Sequence, residues 1–247
     1  MRFSNKTAVV TAAGAGIGRA IALRLASEGA AVVVSDINDA AGAETVALIT
    51  AAGGTAAYQH ANVSDAAEVQ ALMAFTLDNY GRLDLAVNNA GIGAMPKPVE
   101  EVSEAEWDRT VNVTLRGTFL AMKSQIAHFR AAGSGSIVNI ASVAGISATP
   151  SLTPYGAAKH GVVSLTRSVA LENAAHGIRV NAVAPGAVET AALASLPADA
   201  KAGYAAEVPM KRLGQPEEIA NAVSWLLSQE AGFVTGVVLP VDGGTSA

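Results

Sequence analysis

Short apolar runs alternate with longer segments of helical periodicity along the whole chain. The first run, Thr7–Thr11, is rich in β-branched residues, which is typical of a strand buried on both faces. Further runs of this character predict strands at 31–35, 55–60, 83–88, 136–141, 179–183 and 237–240. The chain therefore offers seven candidate strands.

The segments between these runs predict helices at 19–29, 40–52, 65–80, 104–131, 154–175 and 217–228. Start signals support three of them. Two pairs fit capping boxes, namely Ser103 with Glu106 and Asp65 with Glu68. Thr153 is placed to cap a helix that begins with a proline. Strands that alternate with helices of this length predict βαβ units, a parallel sheet and right-handed crossovers.

The composition fits one α/β domain, because 247 residues can bury a substantial core without disulfides or metals. We expect a single domain over 1–247, with a cofactor-binding half at about 1–140 and a catalytic and substrate half at about 141–247. Only 15% of residues are charged and 51% are hydrophobic, so we also expect burial in subunit interfaces of a homo-oligomer.

Charge and residue content argue against several classes of function. The net charge is −5 and the basic residues form no cluster, so neither nucleic acid nor an anionic membrane is an expected partner. Cysteine is absent, and the four histidines lack the spacing of metal ligands, so no metal site is predicted. The first residues lack a signal-type apolar region, and we expect a cytoplasmic protein.

A glycine-rich loop follows the first strand and opens a helix. Its glycines are Gly14, Gly16 and Gly18, and in this context loop amides and a helix N-terminus can hold a pyrophosphate. Asp36 ends the second strand, where a carboxylate can accept hydrogen bonds from a ribose diol and repel a 2′-phosphate. Because positions 15 and 37 carry no Arg or Lys, NAD is favoured over NADP.

Tyr155 and Lys159 are four residues apart, which places them on one face of the predicted helix. A positive charge near a phenol favours the phenolate, so such a pair can perform proton chemistry. The spacing alone is common on ordinary helices. Ser142, at the end of the fifth strand, and Asn112, inside a well-capped helix, are further polar residues that need an explanation.

Taken in order, these motifs resemble the short-chain dehydrogenase/reductase family over essentially the whole chain. They comprise the glycine loop, Asp36, the Asn-Asn-Ala-Gly segment at 88–91, Asn112, Ser142, Tyr155 and Lys159. The resemblance implies a Rossmann-type, doubly wound three-layer sandwich with a seven-stranded parallel sheet, often as a tetramer. It also implies reversible hydride transfer between NAD(H) and a secondary alcohol or ketone.

The resemblance assigns roles residue by residue. Tyr155 would be the general acid/base, Lys159 would lower the pKa of its phenol, Ser142 would polarise the reacting oxygen, and Asn112 would kink its helix and hold a water. The segment from Pro185 to Thr190 would cover the nicotinamide. The implied cofactor-binding positions are Gly14, Gly16, Ile17, Gly18, Asp36, Ile37, Asn62, Val63, Asn89, Ala90, Gly91, Tyr155, Lys159, Pro185, Gly186, Val188 and Thr190.

Two positions depart from the family pattern. Ala12 stands where the loop normally has Gly, which costs about 1 kcal/mol if the backbone there needs a positive φ. We expect Gly14 to take the tight turn instead, with altered loop geometry and retained binding. Asn62 stands where an Asp often contacts the adenine amine, and its side-chain oxygen can accept the same bond.

Alternatives to an NAD-dependent alcohol dehydrogenase remain open at this point. A 3-oxoacyl-carrier-protein reductase would share the scaffold, with Arg130, Lys211 and Arg212 as its basic patch, and a catalytically silent NAD-binding protein would share the fold. A dehalogenase relative would replace Lys159 by arginine.

The segments 93–98, 143–152 and 187–210 are expected to line the substrate site. Their small and aliphatic residues favour a neutral, largely apolar ketone or alcohol.

Overall fold

The computed structural model describes residues 1–93, 95–190, 193 and 197–247. Seven parallel strands form one sheet in the order β3-β2-β1-β4-β5-β6-β7. Their bounds are β1 Thr7–Thr11, β2 Ala31–Asp36, β3 Thr55–His60, β4 Leu85–Asn88, β5 Gly135–Ile140, β6 Ile178–Pro185 and β7 Val238–Val241. Each predicted strand is confirmed, and no end shifts by more than two residues.

Helices connect the strands and cover both faces of the sheet. They are α1 Gly16–Ser27, α2 Asp39–Ala51, α3 Ala66–Tyr80, α4 Glu104–Val111, α5 Gly117–Ala132, α6 Thr153–Asn173, α7 Ala198–Glu207 and α8 Pro216–Leu227. The strand order reverses between β1 and β4, and ligands of open parallel sheets bind in the crevice at such a point. The predicted α/β fold with its seven-stranded sheet is confirmed.

Two apolar layers hold the helices on the sheet. On one face, Ile21 and Leu25 of α1 and Ile219 and Leu226 of α8 are fully buried against the strands. On the other face, Leu72 of α3 and two side chains of α5, Met122 and Phe129, pack with Val9, Val33 and Ile137. Uniformly buried strands such as β1 follow from this coverage of both faces.

Two of the three predicted helix starts are wrong in detail. Leu152, not Thr153, occupies the N-cap of α6, so Thr153 and Pro154 are its first two residues. Asp65 caps α3 through the amides at 67 and 68, but Glu68 accepts from the Asn62 amide at 2.7 Å and leaves the reciprocal half of the box unmade. The Ser103 box of α4 is complete.

The predicted helix 104–131 is not one regular α-helix. A π-helical turn over Asn112–Arg116 separates α4 from α5. A π turn inserts one extra residue into the helical ladder and often marks a functional position. Within the described residues, no helix is long and apolar enough to cross a bilayer.

Candidate active site

The glycine loop between β1 and α1 contains two backbones with positive φ, Ala12 at 48° and Gly16 at 53°. Ala12 itself therefore adopts the left-handed conformation, and the expectation that Gly14 would take the turn is wrong. Gly14 is needed for a different reason. Its amide donates to Asp36 Oδ2 at 2.8 Å, and a Cβ there would lie only 2.8 Å from the same oxygen.

Asn89 secures the loop from the end of β4. Its Nδ2 donates to the carbonyl oxygens of Thr11 and Ala12, both at 3.0 Å. The Thr11 hydroxyl accepts in turn from the amides of Asn89 and Ala90 at 3.0 and 3.1 Å. A methyl group at Gly18 would overlap the Ala12 carbonyl oxygen. The left-handed backbone of Ala12 is thus fixed by neighbours on both sides.

The side chains of Arg19 and Thr45 hold the outer carbonyl groups of the loop. Arg19 Nε donates to Gly14 O at 2.9 Å and to the Thr45 hydroxyl at 3.0 Å, while its guanidinium pairs with Glu44. Thr45 donates to Ala13 O at 3.0 Å. Arg19 is therefore committed to the loop and to Glu44.

Asp36 lies at the tip of β2 beside this loop, as the sequence predicts. Its two oxygens accept from the amides of Gly14 at 2.8 Å and Asn38 at 2.9 Å. A carboxylate offers about four lone-pair sites, so these bonds orient it and leave capacity for a further donor. Ile37 follows it with an exposed side chain.

Asn62 and Val63 continue this edge of the cleft from the end of β3. The Asn62 Oδ1 accepts from the amide and the hydroxyl of Ser64 at 3.1 and 2.7 Å. An adenine amine would therefore meet an oxygen that already accepts two hydrogen bonds. Val63 is buried against Gly117, where a Cβ would lie 2.7 Å from its Cγ2.

Tyr155, Lys159 and Ser142 come together where β5 ends and α6 begins. Ser142 follows the strand and accepts from the Ala144 amide at 3.1 Å, which opens a short 3₁₀ turn. Lys159 is 3% exposed, and its Nζ donates to Ile140 O at 2.6 Å. Its Nζ lies 5.6 Å from the centroid of the Tyr155 ring. The one-face arrangement predicted for the pair is confirmed.

Burial controls the protonation of both groups. It raises the pKa of the Tyr155 phenol, against a hydrogen bond with the Ser142 hydroxyl that acts in the opposite direction. It also lowers the pKa of Lys159 to about 8. The net upward shift of the Tyr155 pKa differs from the lowering expected from Lys159, because desolvation of the phenol is the largest effect.

Asn112 is the first residue of the π turn, and its side chain is exposed. The extra residue aligns Thr114 with the loop after β4, where its hydroxyl accepts from the Ile92 amide at 3.2 Å. Gly91 in that loop faces Lys159, since a Cβ there would lie 3.2 Å from its Nζ. The π turn thus supports the loop that covers the buried lysine.

The segment after β6 closes the other side of the cleft. The Val188 carbonyl accepts from the Thr190 amide at 2.8 Å, and Glu189 N donates to Gly214 O at 2.8 Å. A Cβ at Gly16 would lie 3.5 Å from the Thr190 methyl, so the segment reaches the glycine loop. Positions 94, 191, 192 and 194–196 of the expected substrate lining lie outside the described residues.

These elements enclose a cleft of about 410 Å³. Most of the predicted residues line it, namely Gly16, Ile17, Gly18, Asn89, Gly91, Ser142, Tyr155, Lys159, Pro185, Gly186, Val188 and Thr190. The other predicted residues are not in this lining; they are Gly14, Asp36, Ile37, Asn62, Val63, Ala90 and Asn112.

Several lining residues had no sequence signal as site residues. They are Ala15, Ile140 and Ala141, whereas Gly93 and Leu193 belong to the segments that were expected to line the substrate site. Ile140 contributes its carbonyl oxygen, which any residue possesses, and the others are small or aliphatic residues of the kind that also fill a core. The cleft can accommodate a dinucleotide, because its loop carries no bulky side chain: a Cβ would clash at Gly14 and Gly18, and Gly16 has a positive φ of 53°.

The whole chain is similar to known oxidoreductases. A family model described as Enoyl-(Acyl carrier protein) reductase matches residues 11–246. The cis-4-hydroxycyclohexanecarboxylate dehydrogenase of Sinomonas cyclohexanicum is 46% identical, over 99% of this chain and 98% of that protein. The cyclohexanol dehydrogenase of an Acinetobacter species is 44% identical, over 98% and 95%.

A solved structure agrees with the fold in detail. The crystal structure of levodione reductase superposes with a TM-score of 0.96 at 40% sequence identity, over 99% of both chains. The similarity therefore extends from the glycine loop through the substrate half.

Proposed function

We propose, from the premise that this chain belongs to the short-chain dehydrogenase/reductase family, that it interconverts a ring secondary alcohol and its ketone with NAD(H). The chain is an oxidoreductase that acts on CH–OH groups with a nicotinamide cofactor, like its relatives. The observation that carries the proposal is the convergence of Ser142, Tyr155 and Lys159 on one cleft with the glycine loop.

Tyr155 is our candidate for the proton transfer. Its raised pKa keeps the phenol protonated at neutral pH, so in the reductive direction it can donate a proton to a carbonyl oxygen. In the oxidative direction it must act as the phenolate, and higher pH favours that form. The Ser142 hydroxyl, beside the phenol, would hold the same substrate oxygen and fix the reacting carbon.

Lys159, one helical turn after Tyr155, would assist the proton transfer. With a pKa of about 8 its ammonium is mostly protonated at neutral pH, and its bond to Ile140 O fixes it. A nicotinamide bound in the cleft supplies or accepts the hydride. The residues that would hold it are those of the glycine loop together with Pro185, Gly186, Val188 and Thr190, and Asn112 would support a water relay to Lys159.

The adenosine end of the cleft favours NAD over NADP. The Asp36 carboxylate is oriented by two amides at the position where a ribose diol would lie. A 2′-phosphate there would be repelled, and Arg19, a cation of the adjoining helix, is engaged by the loop and by Glu44. Ile37 and Val63 would lie beside the adenine. Asn62 and Asn89–Gly91 would complete its surroundings.

A cyclic, uncharged substrate is the best match to the cleft. Both named relatives act on cyclohexane rings that carry a hydroxyl group; one ring bears a carboxylate and the other is uncharged. The uncharged class is favoured by the cleft of this chain, whose lining includes small and aliphatic residues such as Gly93, Ala141 and Leu193. Neutral apolar lining favours a neutral apolar ligand. We therefore propose cyclohexanol-like secondary alcohols and the corresponding ketones as the substrate class.

A carrier-protein substrate has less support. Its expected basic patch would need Arg130, Lys211 and Arg212 to be available. Arg130 Nε instead donates to Asn173 at 2.7 Å, Lys211 Nζ to Ala206 O at 2.8 Å, and Arg212 pairs with Glu218 at 2.7 Å. These side chains serve the fold itself, and the acidic net charge of −5 opposes an acidic partner.

We also propose a homotetramer in the cytoplasm, as the resemblance and the low charge content imply. Exposed Leu171 of α6 and Phe119 of α5, together with Phe233 near β7, are apolar side chains that subunit contacts would cover. Light scattering of the purified protein measures the assembly, and a monomeric mass would contradict this proposal.

Oxidation of cyclohexanol, followed at 340 nm with NAD⁺ and with NADP⁺, tests the proposed reaction. We expect turnover with a strong preference for NAD⁺, and Asp36→Ala should lower kcat/KM for NAD⁺ by about tenfold or more, because a charge-assisted hydrogen bond is lost. Asp39→Ala is the matched control, since Asp39 bonds Tyr58 and His60 instead. A preference for NADP⁺, or no oxidation of any ring alcohol, would contradict the proposal.

A further inference from the structure

A tight turn after β6 joins two residues that line the cleft. Val188 and Thr190 belong to the described lining, whereas Glu189 between them does not. The Thr190 amide donates to Val188 O at 2.8 Å, and a bond between residues two apart closes a γ-turn. Glu189 is the central residue and has no positive φ, so the turn is of the inverse type. The placement of both lining residues therefore depends on how Glu189 is held.

The outer side of this turn is bound to the segment that precedes α8. Glu189 N donates to Gly214 O at 2.8 Å and Gly214 N donates to Ala187 O at 2.9 Å, which forms a short parallel bridge. The side chains add a further bond, because Gln215 Nε2 donates to Glu189 Oε2 at 3.0 Å. Glu189 is thus held through its backbone and through its carboxylate.

Gln215 is itself fixed by its neighbours. It is the N-cap residue of α8, and its amide donates to Glu218 Oε2 at 2.8 Å. Both oxygens of Glu218 also accept from the Arg212 guanidinium, at 2.7 Å each. Arg212 lowers the pKa of Glu218 to about 2, so this carboxylate is ionised at neutral pH. Gln215 therefore reaches Glu189 from a preorganised position.

The bond between these two side chains is the part of the anchor that depends on residue type. The backbone bridge can form with many residues at these positions, whereas the side-chain bond needs an amide donor and a carboxylate acceptor. Because the acceptor is ionised, the bond is charge-assisted and stronger than a neutral one. Both side chains are exposed, so solvent reduces its effect to a modest one.

A ligand would sense this bond at one end only. Val188 and Thr190 are the lining residues next to the anchored turn, and they are our candidates for contact with the nicotinamide. Asp36 and Asn62, our candidates at the adenosine end, follow β2 and β3 and make none of the contacts of this anchor among the described residues. Loss of the bond should therefore weaken the nicotinamide contacts and leave the adenosine contacts unchanged.

We infer that Gln215 is a positioning residue for the nicotinamide half of the cofactor, because its bond to Glu189 fixes the turn that presents Val188 and Thr190. This inference rests on the proposed function above, in which the nicotinamide binds at this end of the cleft. Gln215 acts through Glu189 and has no part in the proton or hydride transfer.

The test is the dissociation constant of NADH compared with that of ADP-ribose, which lacks the nicotinamide, both measured by titration calorimetry. Gln215→Glu brings two carboxylates together and should raise Kd for NADH about three- to tenfold, the equivalent of one modest hydrogen bond. Kd for ADP-ribose should stay within about twofold of the wild type. Glu189→Ala removes the acceptor and should have the same effect.

An exchange of donor and acceptor separates the bond from other effects of these changes. Adding Glu189→Gln to Gln215→Glu restores an amide–carboxylate pair with the two partners reversed. A carboxylate is also favourable at a helix N-terminus, so α8 keeps its start. Kd for NADH in this double variant should return to within about twofold of the wild type.

Gln229→Glu is the matched control. It introduces the same change of charge at an exposed position in the short turn that follows α8, and both dissociation constants should equal those of the wild type.

An unchanged Kd for NADH in Gln215→Glu and Glu189→Ala, an equal rise for ADP-ribose, or no recovery in the double variant would overturn the inference, while cyclohexanol oxidation by the wild type leaves the proposed function intact. A wild type that neither binds NADH nor oxidises a ring alcohol would instead overturn the proposed function, and the inference would fall with it.

Discussion

Ala12 has a strained backbone conformation within the glycine loop. Its φ of 48° lies in the left-handed region, where a Cβ is unfavourable by about 1 kcal/mol relative to glycine. The surrounding bonds enforce it, because Asn89 binds the Ala12 carbonyl and Gly18 leaves room for it. The strain is therefore a property of the assembled loop, and a glycine should relieve it.

We predict that Ala12→Gly raises the free energy of unfolding by up to about 1 kcal/mol, partly offset by the greater chain entropy of glycine. For a chain of this size that corresponds to about 2–4 °C in Tm, measured by calorimetry or circular dichroism. Ala13→Gly is the control, because position 13 lacks a positive φ. It should destabilise. A variant at position 12 that is no more stable than the one at position 13 would contradict the strain argument.

At the residue scale the sequence identifies side-chain chemistry better than backbone chemistry. Tyr155, Lys159 and Ser142 have spacings and residue types that point to proton transfer, and they line the cleft. The Ile140 carbonyl that holds Lys159 has no signature, because every residue offers one. The direction of the Tyr155 pKa shift also depends on burial, which only the folded structure provides.

At the scale of elements, the apolar pattern of the sequence predicted the strands and most helices. The pattern is clear because helices cover both faces of the sheet, which makes the strands apolar. It did not predict the π turn at Asn112–Arg116, since one extra residue changes the apolar pattern too little to be seen. It also misplaced the cap of α6. A threonine before a proline resembles a cap, but Leu152 has the non-helical backbone and Thr153 is already helical.

A buried polar network connects the elements that carry the site. Asn139 of β5 accepts from Asn88 of β4 at 2.9 Å and donates to Thr166 of α6 at 2.9 Å, while Asn88 exchanges hydrogen bonds with Gln125 of α5. All four side chains are buried. The network links the strand that leads to Ser142 with the helix that carries Tyr155.

Asn139→Ala should therefore lower the free energy of unfolding by about 2–4 kcal/mol, because it leaves partners on both sides unsatisfied in a buried site. Denaturant unfolding measures the loss. Thr118→Val is the control, since among the described residues its buried hydroxyl bonds only to Thr114 O of the preceding turn, and it should cost less than about 1 kcal/mol. Equal effects of the two changes would contradict a role of the network.

On the scale of the whole molecule, the strand order explains why the site forms where it does. The reversal between β1 and β4 opens a crevice at the carboxyl ends of the strands. The glycine loop enters it from β1, Asn89 from β4, Ser142 from β5 and Pro185 from β6. One half of the chain thus provides the glycine loop and the other half the side chains of Ser142, Tyr155 and Lys159, and neither forms the cleft alone.

The central claim is that this cleft performs proton transfer through Tyr155 during alcohol oxidation and ketone reduction. The most direct test compares Tyr155→Phe with the wild type in cyclohexanol-dependent NADH formation, with NADH binding measured in parallel by fluorescence. We predict that kcat falls about 10²- to 10⁴-fold, because the phenylalanine ring has no proton to exchange, while NADH still binds. A variant that keeps kcat within about twofold of the wild type would contradict the claim, since general acid–base catalysis contributes far more than that.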